Sequence, residues 1–132
     1  MSRLTKLISL AALLVAPSMA TAAEVNVVSW GGAYTESQKL GYGDPYQEMS
    51  GVQVNWIDYS GGWSEIKAQV ESGAITWDII DVYARDTIIG CDEGLFVEFD
   101  FDNDFPAGVN GMKASDDFFA PMPSDCAVGN IL

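Results

Sequence analysis

The chain has 132 residues, a length that holds one domain and no more. Six Lys and Arg stand against 19 Asp and Glu, a net charge of −13, which excludes the basic face that a nucleic-acid binder needs to neutralise phosphates. Histidine is absent, so the commonest general base and metal ligand is missing, and 48% hydrophobic residues are too many for a disordered acidic tail.

Residues 1–22 read as an export address. Arg3 and Lys6 precede an apolar run from Leu7 to Ala16, and Ala20-Thr21-Ala22 supplies the small-x-small step of a cleavage site. Cleavage is expected after Ala22, with Ala20 as the alternative. A membrane-spanning helix needs roughly 20 apolar residues, twice what this run offers, so the protein is expected to be periplasmic and not membrane-spanning. With the address removed, Lys39, Lys67, Arg85 and Lys113 remain against all 19 acids, a net charge of −15. Such a surface keeps an exported protein soluble and also sets up a field that attracts cations.

Glu24 to Trp30 is β-branched and alternating, which predicts a strand ended by Gly31-Gly32. A short helix is predicted over Ala33 to Leu40, interrupted by Gly41, Gly43 and Asp44-Pro45, with a further helical turn through Met49. Val52 to Tyr59 alternates again and predicts a second strand. Trp63, Ile66 and Val70 share one face of a helix that Gly73 terminates. Trp77 to Val82 is short and mostly apolar, a strand of the kind buried on both faces of a parallel sheet. Tyr83 to Glu93 predicts a helix stopped by Gly94. The order β-α-β-α-β-α specifies an α/β fold with a parallel sheet. Beyond Leu95 the pattern weakens, until Cys126 to Leu132 reads as the start of another buried strand.

Cys91 and Cys126 have only each other to pair with in a compartment that permits disulfides, and closing their loop stabilises the fold by about 4 kcal/mol in the chain-entropy model. Two buried thiols are the alternative. A zinc shell is disfavoured, because two thiols without histidine leave it half empty. Asp100-Phe101-Asp102-Asn103-Asp104 opens like a calcium loop, yet Phe105 stands where the turn glycine belongs and Gly111 where the bidentate Glu belongs, so no metal or other cofactor is expected.

Trp30, Tyr59 and Tyr83 fall at the carboxyl ends of the three predicted strands, with Tyr34 just inside the first helix and Asp81 beside Tyr83. Ligands of open α/β sheets bind at that edge, where Gly31-Gly32 and Gly61-Gly62 also let a backbone approach closely. Each aromatic alone is compatible with core packing; three at one rim point to a wall suited to organic cations. No Ser-His or Cys-His arrangement exists, and the adjacent acids Asp92-Glu93 and Asp116-Asp117 are not specific for acid–base catalysis.

Ser29-Trp30-Gly31-Gly32-Ala33-Tyr34, Trp77-Asp78-Ile79-Ile80-Asp81-Val82, Gly90-Cys91-Asp92-Glu93-Gly94-Leu95-Phe96 and Cys126-Ala127-Val128-Gly129, behind an export signal, together resemble the periplasmic solute-binding proteins of ABC importers, of the spermidine/putrescine-binding type. The resemblance implies two α/β lobes closing on a ligand, with permease subunits as partners and no covalent chemistry. It implies residues 23–132 as the amino-terminal part of the first lobe, ending at the first hinge strand, with the second lobe absent from this chain. Carried over by position, the ligand wall comprises Trp30, Tyr34 and the Asp81–Tyr83 turn. Gly31-Gly32 departs from the polar residues that polyamine binders show after the Trp, and its amides suit an anionic or zwitterionic ligand. From the resemblance and the aromatic rim, the expected ligand is a small polyamine-like cation. An amino-acid-like or carboxylated solute, or a piece of an exported enzyme, are the alternatives.

Overall fold

A computed structural model of the chain describes residues 23–118 and 125–129. The expected signal segment 1–22 lies outside the described residues. Three parallel strands form one sheet in the order β2-β1-β3, with β1 over Glu24–Ser29, β2 over Gln53–Asp58 and β3 over Ile79–Ile80. Six residue pairs from Glu24↔Gln53 to Ser29↔Asp58 join β1 to β2, and Val27↔Ile79 and Val28↔Ile80 join β1 to β3. The central strand is the most buried element: Val27 is buried, and Val28 and Ser29 are fully inaccessible.

Between β1 and β2 the backbone stays helical without a break. Helix α1 covers Gly32–Gln38, a π-helical turn covers Lys39–Gly43, and α2 covers Asp44–Ser50. The expected interruption at Gly41, Gly43 and Asp44-Pro45 does not occur. Gly43 and Asp44 hold helical dihedrals, and Pro45 is accommodated in the first turn of α2, directly after the π-helical turn. Gly43 serves packing instead of termination, since a Cβ there would lie 2.6 Å from the Trp56 ring. Helix α2 does stop at Gly51, whose φ of 73° is the left-handed conformation that glycine adopts freely.

Helix α3 covers Trp63–Ser72, with Ile66 buried, Trp63 packed 6.1 Å from Phe96, and Gly73 closing the end at φ 67°. With right-handed crossovers, a step from β1 out to β2 and back across to β3 sets α1–α2 and α3 on opposite faces of the sheet. Helix α4 covers Ala84–Asp92 and is joined to α3 by the Lys67–Glu93 ion pair at 2.6 Å. The third strand is much shorter than expected, and Ile79 is 55% exposed instead of buried on both faces. Among the described residues, β3 has a strand on one side only, so its outer edge and one face lack the cover that a central parallel strand requires.

Two short helices, α5 over Phe101–Asp104 and α6 over Ala114–Asp117, organise the acidic aromatic segment. Phe99, Phe101, Phe105 and Phe118 pack on one another at 5.1–6.0 Å. The carboxylates expected not to form a calcium loop are used locally. Asp104 accepts from the Asp100 amide and Asp100 from Asn103, while Lys113 and Ser115 hold Asp102 down at about 2. The strand expected from Cys126 to Leu132 is not seen over 126–129, which is a turn and irregular chain; residues 130–132 lie outside the described residues. The Asp125 carbonyl accepts from the Phe99 amide and Cys126 is bonded to Cys91, and these ties hold the segment beside α4 and the Phe cluster.

The Cys91–Cys126 disulfide is present, with Cα atoms 5.7 Å apart across a sequence separation of 35. Replacing Cys126 by Ser should destabilise the oxidised chain by about 4 kcal/mol. Urea unfolding of both forms with and without reductant measures this, and identical midpoints would show that the bridge constrains nothing.

Candidate functional site

Because the strands are parallel, their carboxyl ends share one edge of the sheet, and the residues that follow them meet there. Trp30 follows β1, Tyr59 follows β2, and Tyr83 begins α4 just beyond β3. The Trp30 ring packs on two tyrosines, 5.1 Å from Tyr59 at 29° and 5.0 Å from Tyr83 at 31°. Gly61, at φ 82°, crosses against the indole so closely that a Cβ would stand 3.0 Å from it. Beside these rings is an open cavity of about 230 Å³, lined by Trp30, Gly61, Trp63, Tyr83, Arg85 and Asp86 among others. A wider hollow of about 550 Å³ on the β2 side is lined by Asp58, Tyr59, Glu65 and Trp77.

Tyr59 is fixed at three points. Its amide donates to the Ser29 carbonyl at 2.9 Å, its hydroxyl donates to the Asp81 carbonyl at 2.8 Å, and its ring meets Trp77 edge-on at 5.8 Å. Burial, followed by the charges of Asp81 and Asp86, pushes its hydroxyl up to about 12. Asp81 is anchored in turn: its amide donates to the Val28 carbonyl at 2.9 Å and its Oδ2 accepts from Gln38 Nε2 at 2.7 Å. Tyr34 is also shifted up, by burial first and by the Asp81 charge second, which puts Tyr34 within the field of that carboxylate.

The structure therefore divides the residues singled out in the sequence. Trp30 and Tyr83 share the cavity wall, whereas Asp81 and Tyr34 lie on the α1 side and do not line it. Gly31 and Gly32 form a left-handed turn at φ 78° and 57°. The Gly31 amide already donates to Thr35 Oγ1 at 2.8 Å, and a Cβ on Gly31 would stand 2.9 Å from the Asp58 carboxylate. An acid against the turn works against an anion at Gly31. The face of Trp30 expected to receive a cation is flanked by both tyrosines, and the exposed ring is Tyr83, at 58% accessibility. Arg85 already lies over that ring, 5.3 Å from its centre.

Arg85 and Gln38 were not singled out in the sequence. Arg85 is the one cation among the residues lining the cavity, and its position two residues past the rim tyrosine was the available signal. Gln38 follows Tyr34 and Thr35 at helical spacing, so a polar residue on the inward face of α1 was legible, although its partners were not.

No protein-family model matches the chain. It is 36% identical over 85 residues to the gamma-aminobutyric acid-binding protein of Pseudomonas aeruginosa PAO1, a stretch that covers 64% of this chain and 24% of that protein. The crystal structure of an ABC transporter substrate-binding protein from Bradyrhizobium japonicum USDA 110 matches with a TM-score of 0.58 and 34% identity, covering 60% of this chain and 24% of that one. The periplasmic binding protein AgtB of A. tumefaciens R10, solved with agropinic acid, matches with a TM-score of 0.56 and 33% identity, covering 62% and 26%. The chain spans about a quarter of the length of these relatives. It has the parallel α/β fold of periplasmic binding proteins and is similar to solute-binding proteins of ABC transporters, which bind their ligands rather than transform them. The spermidine/putrescine specificity expected from the sequence finds no support here: gamma-aminobutyric acid and agropinic acid are carboxylic acids, and neither is a polyamine.

Tyr59 links the site to stability. Its hydroxyl ionises near 10 in an unfolded chain and at about 12 in the folded one, so between those values only the unfolded state gives up this proton. The stability that Tyr59 contributes is complete below pH 10 and is lost as pH rises to about 12. Phenolate absorbance and unfolding should both show this, and Asp81→Asn should move the Tyr59 titration down. A Tyr59 that ionises at the ordinary tyrosine value would contradict the burial and the acid field around its hydroxyl.

Proposed function

We propose that residues 23–132 form the amino-terminal part of one α/β lobe of an extracytoplasmic solute-binding protein of an ABC importer, and that its ligand is an amino-acid-like compound carrying a carboxylate. The observation that carries this reading is Arg85 over Tyr83 at the mouth of the cavity. An aromatic wall open to solvent favours a cationic ligand. Here the chain supplies its own guanidinium to the exposed ring, which takes the place an amine would occupy and turns that part of the rim into a donor for carboxylates. Guanidinium donors match a carboxylate in a two-point, charge-assisted contact. Asp86 holds Arg85 only loosely, with Nε 3.4 Å from Oδ1 and the arginine side chain 78% exposed, so the group is accessible to a ligand.

The name of the Pseudomonas relative supports the same ligand class, since gamma-aminobutyric acid joins one carboxylate to one ammonium. Capture would proceed by closure of a second lobe over the rim, with delivery to permease subunits and no bond made or broken. Residues 1–22 would direct the chain to the periplasm and be removed there.

Titration of the full chain with γ-aminobutyric acid and with putrescine tests the reading. The amino acid should bind, and Arg85→Met should weaken it about tenfold, as expected for one hydrogen bond between charged groups, while any putrescine binding is unchanged or improved. Binding of putrescine with no response to γ-aminobutyric acid would overturn the carboxylate reading and restore the polyamine one.

A further inference from the structure

A polar chain of three side chains, the first two buried, runs from the end of β1 through α1 to the residue that follows β3. Ser29, at the end of β1, is fully inaccessible, and Gln38, in α1, is 1% exposed. Ser29 Oγ donates to Gln38 Oε1 at 2.5 Å, and Gln38 Nε2 donates to Asp81 Oδ2 at 2.7 Å. A carboxylate only accepts hydrogen bonds, so the amide must turn its nitrogen to Asp81, and its oxygen then needs a donor, which is the Ser29 hydroxyl. The three side chains fix one another in a single arrangement.

Asp81 is held at three atoms as a result. Its amide is bonded to Val28, its carbonyl receives the Tyr59 hydroxyl, and Oδ2 receives Gln38. Its second carboxylate oxygen, Oδ1, has no hydrogen bond among the described residues, and the residue is part-exposed on the α1 side of the Trp30–Tyr59–Tyr83 stack, across from the cavity that Arg85 lines. Packing alone would be served by an apolar residue at position 38. A buried amide with both ends engaged, and with a charged group at one end, instead sets the direction of that charge.

We propose that Gln38 is a positioning residue for ligand recognition: it fixes the Asp81 carboxylate so that Oδ1 receives the ammonium group of the amino-acid-like solute. This rests on the function proposed above and adds the second half of the zwitterion site. Arg85 lies over Tyr83 and Asp81 is tied to Tyr59, and both rings pack on Trp30. Recognition of the two ligand charges is thereby divided between two side chains held on one aromatic stack.

The test compares γ-aminobutyric acid with butyrate, which lacks the ammonium, in NMR titrations of the full chain and its variants. Gln38→Met should weaken γ-aminobutyric acid about tenfold and leave butyrate within about twofold. Asp81→Asn should do the same, and adding Gln38→Met to Asp81→Asn should cause no further loss, because Gln38 acts through that carboxylate. If Gln38→Met fails to fold, Ser29→Ala carries the test, since freeing the amide should weaken γ-aminobutyric acid selectively as well. Equal weakening of both ligands, or a Gln38→Met loss that persists in the Asp81→Asn background, would overturn the positioning role and leave the proposed function standing. A parent chain that binds neither compound would overturn the proposed function and this inference together.

Discussion

The rim of this fold hangs from the last residues of one strand. β1 is bonded on both sides, and at its carboxyl end each backbone and side-chain group has a separate duty. The Val28 carbonyl holds Asp81, the Ser29 carbonyl holds Tyr59, the Ser29 hydroxyl holds Gln38, and Trp30 carries the two tyrosines. Parallel pairing makes this possible, because it places the ends of three strands, distant in sequence, at one edge. A one-residue slip of β1 against β2 would turn Ser29 away from Gln38 and take Trp30 off the rim.

The parts of this arrangement that depend on local pattern were legible in the sequence. The alternating runs ending at Trp30 and Tyr59 gave two strands to within a residue or two, and the aromatic positions followed from where those runs end. The face of Trp63, Ile66 and Val70 gave α3, and the even cysteine count gave the bridge. The readings that failed required knowledge of a partner across the fold. Gly43 looks like a helix stop until Trp56 is seen beneath it, and Trp77 to Val82 looks like a buried strand until Ile79 is seen to be exposed, with no strand on its outer side among the described residues. Arg85 looks like an ordinary surface cation until the Tyr83 ring is found under it, and Gln38 has no chemical meaning apart from Ser29 and Asp81.

Net charge is the coarsest of these signals. A strongly negative chain with aromatics at a binding edge suggests a cationic ligand, and this inference treats the field as uniform. Acids are plentiful at the rim, and their local arrangement still decides the chemistry. Asp58 lies against the glycine turn, Asp81 is directed by an amide, and Arg85 stands at the cavity mouth. Screening confines exposed charges to about 8 Å at physiological salt, so the groups at the rim, Arg85 and its neighbour Asp86 among them, set the local field more than the net charge does.

The π-helical turn at Lys39–Gly43 has a consequence for how this segment tolerates change in length. Such a turn holds one more residue than an α-helical turn, so α1 and α2 are out of phase by about 100° relative to an unbroken helix. The offset lets α1 turn Gln38 inward toward the sheet while the end of the π-helical turn, five residues later, brings the bare backbone of Gly43 onto Trp56. Losing one residue between them would leave a more regular helix and would rotate one of these two contacts off its target. Here the irregular helix is the one that fits, and substitutions within the turn should be tolerated far better than deletions.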